Sequence, residues 1–152
     1  ALYHGQRDAI PDGDFVIPLG RADVKRAGRD ATVVASAAMV RKALAAAQTL
    51  ARDGVEVEVI DLRTIVPLDQ DTILESVRRT GRALVVQETI RTGGSTAAIA
   101  ALIGAQCWHE LKAPVARLGT EVVPMPFARS LEKAAVPDDA AIVAALRGLM
   151  GR

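Results

Sequence analysis

The sequence predicts an α/β fold in three layers, with a mostly parallel sheet of about five strands between two layers of helices. Two observations predict this class. From Ala31 onward, short β-branched runs alternate with helical apolar stripes, as in residues 32–35 followed by residues 40–51. Glycine or proline punctuates the chain between these segments. Strands that alternate with helices of this length are typical of parallel sheets that are covered on both faces.

A second strand and a second helix follow the first pair. Residues 55–61 (VEVEVID) alternate with a period of two, which is typical of a strand. Pro67 and Leu68 precede Asp69, whose carboxylate is predicted to cap the next helix. Gly81 follows the last apolar position of that helix and is predicted to end it.

Two further strands and two further helices complete the pattern. Residues 83–87 (ALVVQ) and 114–118 (PVARL) are predicted strands. A glycine pair leads into a third helix, for which Ser95 is the predicted cap. The last helix is predicted to begin near Asp138 and to bury an aliphatic stripe.

The first thirty residues differ from the rest of the chain. Prolines and glycines punctuate them and no hydrophobic period is sustained. Residues 1–30 are therefore predicted to be a lead-in or interdomain linker with room for one short edge strand. Residues 31–152 are predicted to form the α/β domain.

The charge balance excludes several classes of partner. Nineteen Lys and Arg residues face eighteen Asp and Glu residues, so the formal net charge is +1. A nucleic-acid binder needs a basic excess to neutralise phosphates, and a membrane-surface protein needs a polybasic segment. The sequence also lacks an apolar run long enough to cross a bilayer and a secretory signal. We therefore expect no nucleic acid, no membrane and a cytoplasmic location.

The cysteine and histidine content limits the chemistry of the chain. Cys107 is the single cysteine, so an internal disulfide is excluded, and with His4 and His109 it supplies too few ligands for a closed zinc site. Cys107 and His109 are two residues apart on a predicted helix, so their side chains point in different directions. Cys107 is predicted to be a core residue rather than a nucleophile.

No nucleotide-binding motif follows the first strand, where the residues read ASAAM without glycine. Asp61 ends the second strand, and the favoured interpretation is that it orients a turn. Gly93 and Gly94 precede a helix whose free N–H groups could hold an anion, although a tight turn is favoured.

The acids of the sequence are dispersed. Glu56 and Glu58 share one face of a strand and are predicted to lie on an exposed or edge face. Glu88 follows the third strand and is the acid best placed at the functional edge of the sheet, with a turn-stabilising role favoured over a catalytic one.

Several segments in a fixed order resemble the carboxyl-terminal domain of the transketolase family. Within that family, the chain is most similar to the beta subunit of the decarboxylating component of 2-oxo-acid dehydrogenase complexes of the branched-chain, pyruvate or acetoin type. The segments that carry the resemblance are DGDFVIPLG at 12–20, VEVIDLRT at 57–64, PLD at 67–69, ILESV at 73–77, TGR at 80–82, VVQE at 85–88, TGG at 92–94, LKAP at 111–114, PMPF at 124–127 and LEK at 131–133.

The resemblance implies a role in a larger assembly. The whole enzyme would bind thiamine diphosphate and magnesium, decarboxylate a 2-oxo acid and pass the acyl group to a dihydrolipoyl acyltransferase core. The expected partners are an alpha subunit, a second beta subunit and that core. In the family the cofactor lies between other domains, so no catalytic, cofactor-binding or metal residue is expected in this chain. The residues expected at an interface or docking surface are Gln87, Glu88, Arg91, Pro124, Pro126 and Phe127.

The sequence departs from the family pattern at several of these places. Gln87 stands where the family often has histidine. Ala98, Gly104 and Ala105 are neutral where the family often has acids, which argues against an electrostatic mode of docking to a basic partner. For Phe127, packing in the core of its own domain is an equal alternative.

Two other interpretations remain open from the sequence. The chain could be a free-standing flavodoxin-like module that binds an anion at the Gly93–Gly94 helix. It could also be a fragment of another enzyme of the transketolase family.

Overall fold

The computed structural model describes Ala9 and residues 12–151 of the chain. His4, considered above as a zinc ligand, lies outside the described residues. The elements are, in chain order, β1 (Asp23–Arg26), β2 (Ala31–Ala35), α1 (Ala38–Ala51), β3 (Val57–Asp61), α2 (Gln70–Thr80), β4 (Ala83–Ile90), α3 (Ser95–Gln106), β5 (Ala116–Thr120), α4 (Arg129–Ala135) and α5 (Asp139–Leu149).

The five strands form one sheet in the order β1-β3-β2-β4-β5. β2 pairs in parallel with β3 on one side and with β4 on the other, and β4 pairs in parallel with β5. β1 pairs with β3 in the antiparallel direction at the edge. The predicted three-layer α/β class with a mostly parallel sheet of about five strands is confirmed.

One face of the sheet is covered by α1 and α5. Val33, Leu84 and Val86 point to this face and pack in one cluster with Met39 of α1 and Leu146 of α5. Alternate side chains of a strand face opposite sides, so each buried strand contributes to two cores. The small alanines along α1 let this helix lie close to the strands.

The other face is covered by α2 and α3. Val34 and Val85 pack there with Ile73 of α2 and Ile103 of α3, and Cys107 belongs to the same cluster. The core role predicted for Cys107 is confirmed: the residue is fully buried.

A buried group of hydroxyls joins β2 to α2. The Oγ1 of Thr32 lies 2.7 Å from the Oγ of Ser76 and 2.8 Å from the Oγ1 of Thr80. All three residues are buried. Because each hydroxyl is partnered, this polar contact costs little desolvation and fixes the position of α2 on the sheet.

The edge strand β1 lies within the first thirty residues. It spans Asp23–Arg26, downstream of the apolar run at residues 15–17, whose side chains are exposed. Gly28 follows β1, and a Cβ there would come within 2.2 Å of the backbone nitrogen of Glu58. A glycine is therefore required where the chain crosses from β1 to β2. The domain boundary at residue 30 stays a prediction.

The predicted exposed face of Glu56 and Glu58 is wrong for Glu58, which is buried. β1 covers β3, so β3 is not an edge strand. The Glu58 carboxylate pairs with the Arg79 guanidinium of α2 and accepts a hydrogen bond of 3.2 Å from the Gly28 N–H. The half-buried Glu56 pairs with Arg26 of β1 at 2.5 Å. The sequence pattern predicted that water would solvate these two carboxylates. In the structure, arginines on neighbouring elements solvate them instead.

Two predicted helix ends are confirmed. The Asp69 carboxylate accepts a hydrogen bond of 3.2 Å from the Thr72 N–H and caps α2. Gly81 ends α2 with a φ of 74°, in the left-handed region that favours glycine. Asp138 likewise caps α5 through the Ala141 N–H at 2.8 Å.

The predicted cap Ser95 is wrong. Gly94 holds the cap position of α3, and Ser95 is the first helical residue. Its hydroxyl is instead 2.6 Å from the Gln87 Oε1 of β4. A tertiary partner thus takes the side chain that local sequence rules assign to the helix end.

Acid is expected to weaken the folded state through Asp69. Burial raises the pKa of Asp69, but hydrogen bonds from the Ala22 N–H, the Thr72 N–H and the Thr72 hydroxyl outweigh burial and hold it below its usual value of 3.8. A pKa that is lower in the folded state contributes stability above pH 4, and this contribution is lost as the pH falls through the folded value. Urea unfolding should therefore show a free energy of unfolding that declines below about pH 4.

The matched variant is Asp69→Asn, which keeps a capping oxygen but cannot titrate. Its free energy of unfolding should fall less between pH 5 and pH 3 than that of the native chain. Equal slopes for the two proteins would contradict this role of Asp69.

Candidate functional site at the carboxyl edge of the sheet

The carboxyl ends of β2, β4 and β5 share one edge of the sheet because these strands are parallel. After β2 the chain crosses to β3 on one side, and after β4 it crosses to β5 on the other. A crevice opens where the direction of the crossovers reverses, and ligands of open α/β sheets bind at this place. The residues predicted for interfaces lie in the second half of β4 or in the loops that follow β4 and β5.

Gln87 and Glu88 are neighbours in β4 and face opposite sides. Gln87 is 3% exposed, and its Oε1 accepts the hydrogen bond from Ser95 at the first turn of α3. Glu88 is half-buried and faces the first turns of α1 and the short helix α4. Gln87 therefore touches α3 within the chain, and only Glu88 of the two reaches the surface.

Two buried polar atoms near the start of α3 have no hydrogen-bond partner among the described residues. They are the Nε2 of Gln87 and the Oγ1 of Thr96. Both residues lie beside Ser95, in sequence or by contact. A buried polar atom without a partner lowers the stability of the fold, so both atoms are expected to destabilise the junction between β4 and α3.

Arg91 lies in the exposed loop that follows β4. Its guanidinium is 3.9 Å from the Glu121 carboxylate, and both side chains are mostly exposed. An exposed pair of this length stabilises the fold by at most about 1 kcal/mol. Arg91 therefore remains available to an external partner.

The loop of residues 121–128 presents apolar side chains to solvent. Phe127 is fully exposed, so the alternative in which it fills the core of its own domain is wrong. Pro124 is exposed and Pro126 is half-buried. We call the following group the carboxyl-edge apolar surface: Ile90, Val122, Val123, Met125, Phe127 and Leu131, which are 41% to 104% exposed.

A pocket that the sequence did not predict opens at this edge, and we call it the switch-point pocket. It has a volume of about 450 Å³ and lies between α1, α4 and the end of β4. Its lining residues are Ala38, Arg41, Lys42, Glu88, Arg129, Glu132, Lys133 and Val136. The sequence carries one signal for it, since Arg129 and Lys133 are four residues apart, on one face of a helix. That helix, α4, was not predicted.

The turn role predicted for Asp61 is confirmed. Its Oδ1 accepts a hydrogen bond of 3.0 Å from the Arg63 N–H just after β3.

Cys107 and His109 do not form a thiolate pair. Burial raises the pKa of the Cys107 thiol, which is directed at the Leu74 carbonyl oxygen at 3.8 Å. The ring of His109 stacks on Trp108 with centroids 3.4 Å apart. The raised pKa keeps Cys107 a neutral thiol near pH 7, which suits a core residue.

The acidic side chains among the described residues do not fit the magnesium ion and diphosphate of thiamine diphosphate. No three of their His, Cys, Asp or Glu side chains converge as metal ligands would. A magnesium ion that carries a diphosphate needs carboxylate or carbonyl oxygens on one centre. We therefore derive no step of the chemistry through that cofactor in this chain. Over the same residues, no helix combines the length and apolar character needed to cross a bilayer.

Comparison with known proteins identifies the protein family of this chain. The family model described as the transketolase C-terminal domain matches residues 20–142. The chain belongs to this family.

Several curated relatives are beta subunits. The acetoin:2,6-dichlorophenolindophenol oxidoreductase subunit beta of Cupriavidus necator is 41% identical over 97% of this chain and 44% of the relative. The 2-oxoisovalerate dehydrogenase subunit beta of Bacillus subtilis is 40% identical over 97% and 45%. The pyruvate dehydrogenase E1 component subunit beta of the same organism is 43% identical over 85% and 40%. The chain thus spans less than half the length of these relatives.

A solved structure gives the same result for the fold. A protein described as a split gene transketolase, inactive beta4 tetramer, matches with a TM-score of 0.75 and 27% identity over 95% of this chain and 46% of its own. The transketolase-like fold is confirmed.

Two buried threonines, Thr96 without a hydrogen-bond partner among the described residues and Thr32 with two, provide a matched test. Thr96→Val replaces an unpartnered hydroxyl by a methyl group of the same shape and should raise the free energy of unfolding by up to about 1 kcal/mol. Thr32→Val removes two hydrogen bonds and should lower it by about 1–3 kcal/mol. Urea denaturation of both variants measures the difference. An equal loss in both would show that the Thr96 hydroxyl has a partner, such as a bound water.

Proposed function

We propose that this chain is the carboxyl-terminal domain of the beta subunit of a thiamine-diphosphate-dependent 2-oxo-acid dehydrogenase. The domain associates the subunits and docks the acyltransferase in an enzyme that oxidatively decarboxylates a 2-oxo acid. Identities of 40–43% to the beta subunits of two 2-oxo-acid dehydrogenases and of an acetoin oxidoreductase support the class. The observation that carries the role is the carboxyl-edge apolar surface, which Ala9 and residues 12–151 leave exposed.

Association with a second beta subunit is the first part of the proposal. Phe127 is a rigid aromatic side chain with full exposure, and Pro124 and Pro126 precede it in the loop. Proline restricts the unbound loop, so less entropy is lost on docking, and an aromatic anchor in an interface contributes strongly to affinity. The description of the structural relative as a beta4 tetramer also favours contacts between copies.

Docking of the dihydrolipoyl acyltransferase core is the second part. Helix α3 has no acid in its first turn and α1 has none either. An ionic attraction for a basic peptide is therefore weak on these elements, and apolar contact has to supply the affinity. Arg91 and Glu88 would then add orientation at the rim of the contact.

The alpha subunit and the preceding part of the beta subunit complete the active assembly. In that assembly thiamine diphosphate with magnesium supplies the electron sink for decarboxylation. The residues of this chain hold the subunits in register and exclude water from the contacts they form. A cytoplasmic location belongs to the same proposal.

A fragment of another transketolase-family enzyme is the second candidate. The structural relative, a split gene transketolase, favours it at 27% identity. The beta subunits share more residues with this chain over a similar extent, so the first proposal has more support. A free-standing module is less favoured, since the relatives contain this domain as part of a longer chain.

Truncation of Phe127 should weaken association without unfolding the domain. Phe127→Ala should raise the dissociation constant of the dimer about tenfold or more, because an aromatic anchor contributes at least about 1.4 kcal/mol. The melting temperature should stay almost unchanged, since the side chain is fully exposed. Sedimentation equilibrium and thermal unfolding measure the two effects.

Trp108→Ala is the matched control for that variant. Trp108 is 63% exposed and follows α3, which returns the chain to the opposite edge of the sheet. Its truncation should leave the dissociation constant unchanged. A chain that stays monomeric at high concentration, or equal effects of both variants, would argue against the proposed interface.

The chain alone is not expected to bind the cofactor. Calorimetric titration of residues 1–152 with thiamine diphosphate and magnesium should give no binding heat, because the described acids do not converge on one centre. Addition of the preceding beta-subunit domain and an alpha subunit should produce both binding and turnover. Micromolar binding by residues 1–152 alone would overturn the proposal.

A further inference from the structure

The switch-point pocket carries positive charge that no ion pair among the described residues neutralises. Four cationic side chains line it, together with the carboxylates of Glu88 and Glu132, so the lining has an excess of two positive charges. The ion pairs formed among the described residues include none of these six side chains. The cationic residues are Arg41, Lys42, Arg129 and Lys133.

One of these cations is held in place. The Nζ of Lys42 donates a hydrogen bond of 2.6 Å to the Pro137 carbonyl oxygen, in the turn between α4 and α5. This bond ties the second turn of α1 to the turn that follows α4. The two walls of the pocket are thereby joined, and Lys42 loses less entropy when a ligand arrives.

The backbone at the mouth of the pocket is strained. Ala37 joins β2 to α1 with a φ of 51° and a ψ of −127°, a conformation that favours glycine. The next residue, Ala38, lines the pocket. Strained residues of this kind are concentrated at ligand sites. Helix α1 also has no side-chain cap and no acid in its first turn, so the helix dipole adds to the positive potential.

The mixed charges define the chemistry of the ligand. A cationic wall suits phosphate oxygens, which accept charge-assisted hydrogen bonds from arginine and lysine. Glu88 and Glu132 are acceptors and would repel a bare anion, but they suit hydroxyl groups. The volume of about 450 Å³ falls in the range of small-molecule sites and exceeds the need of a single phosphate ion.

We infer that the switch-point pocket binds a small phosphate ester with free hydroxyl groups. The phosphate contacts Arg129, Lys133 and the first turns of α1, and the hydroxyls donate to Glu88. This function is distinct from the decarboxylation reaction, and of the residues that carry it only Glu88 is shared with the proposed docking contact. The experiment that tests it therefore measures ligand binding and not the turnover of a 2-oxo acid.

Calorimetry with three probes tests the inference on the protein in its full assembly. The probes are glucose 6-phosphate, inorganic phosphate and glucose. Glucose 6-phosphate should bind at least about tenfold more tightly than inorganic phosphate, since hydrogen bonds to a charged carboxylate supply that factor. Glucose should not bind. Absence of glucose 6-phosphate binding at millimolar concentration, or equal affinity for the ester and inorganic phosphate, would overturn the inference.

Matched variants distinguish specific binding in the pocket from attraction by the net charge of the protein. Lys133→Gln and Arg129→Gln each should weaken glucose 6-phosphate binding about tenfold, and both side chains are exposed, so folding should be kept. Arg52→Gln makes the same charge change at the opposite end of α1 and should leave the affinity unchanged. Glu88→Gln should reduce the preference for the ester over inorganic phosphate. An Arg52→Gln loss equal to that of Lys133→Gln would overturn the inference, because binding would then follow net charge alone.

Discussion

The burial of β2 on both faces is the constraint on which the rest of the structure depends. Every residue of Ala31–Ala35 is buried, with Val33 in one core and Val34 in the other. A strand in this position requires a strand on each side and a helix layer on each face. The hydroxyl of Thr32 is the one polar side chain of β2, and its two hydrogen bonds to α2 keep that burial favourable.

The same constraint produces the functional edge. Because β3 and β4 flank β2 in parallel, the crossovers leave β2 and β4 in opposite directions and open a crevice at their carboxyl ends. The edge then presents two different surfaces. Around Phe127 it is apolar and suits a protein partner, whereas above α1 it is cationic and suits a small anion.

These two surfaces differ in how far the sequence predicted them. The loop of residues 124–127 was identified from its prolines and its aromatic residue, although packing of Phe127 in the core was an equal alternative. Full exposure of Phe127 decides that question, since no hydrophobic pattern reports whether a single loop aromatic turns inward. The pocket was missed because its cations come from α1 and α4, which are about ninety residues apart and are joined only by folding.

The sequence by itself determined the alternation of strands and helices, the cap at Asp69, the end of α2 at Gly81 and the family. Each depends on hydrophobic period, local backbone geometry or an ordered set of short motifs, all of which are written along the chain. Tertiary structure alone decided the burial of Glu58 against Arg79 and the contact of Ser95 with Gln87. The physical reason is that a polar side chain takes whichever partner lies nearest in space, and the neighbour that outcompetes water or the local backbone is brought in from a distant part of the chain.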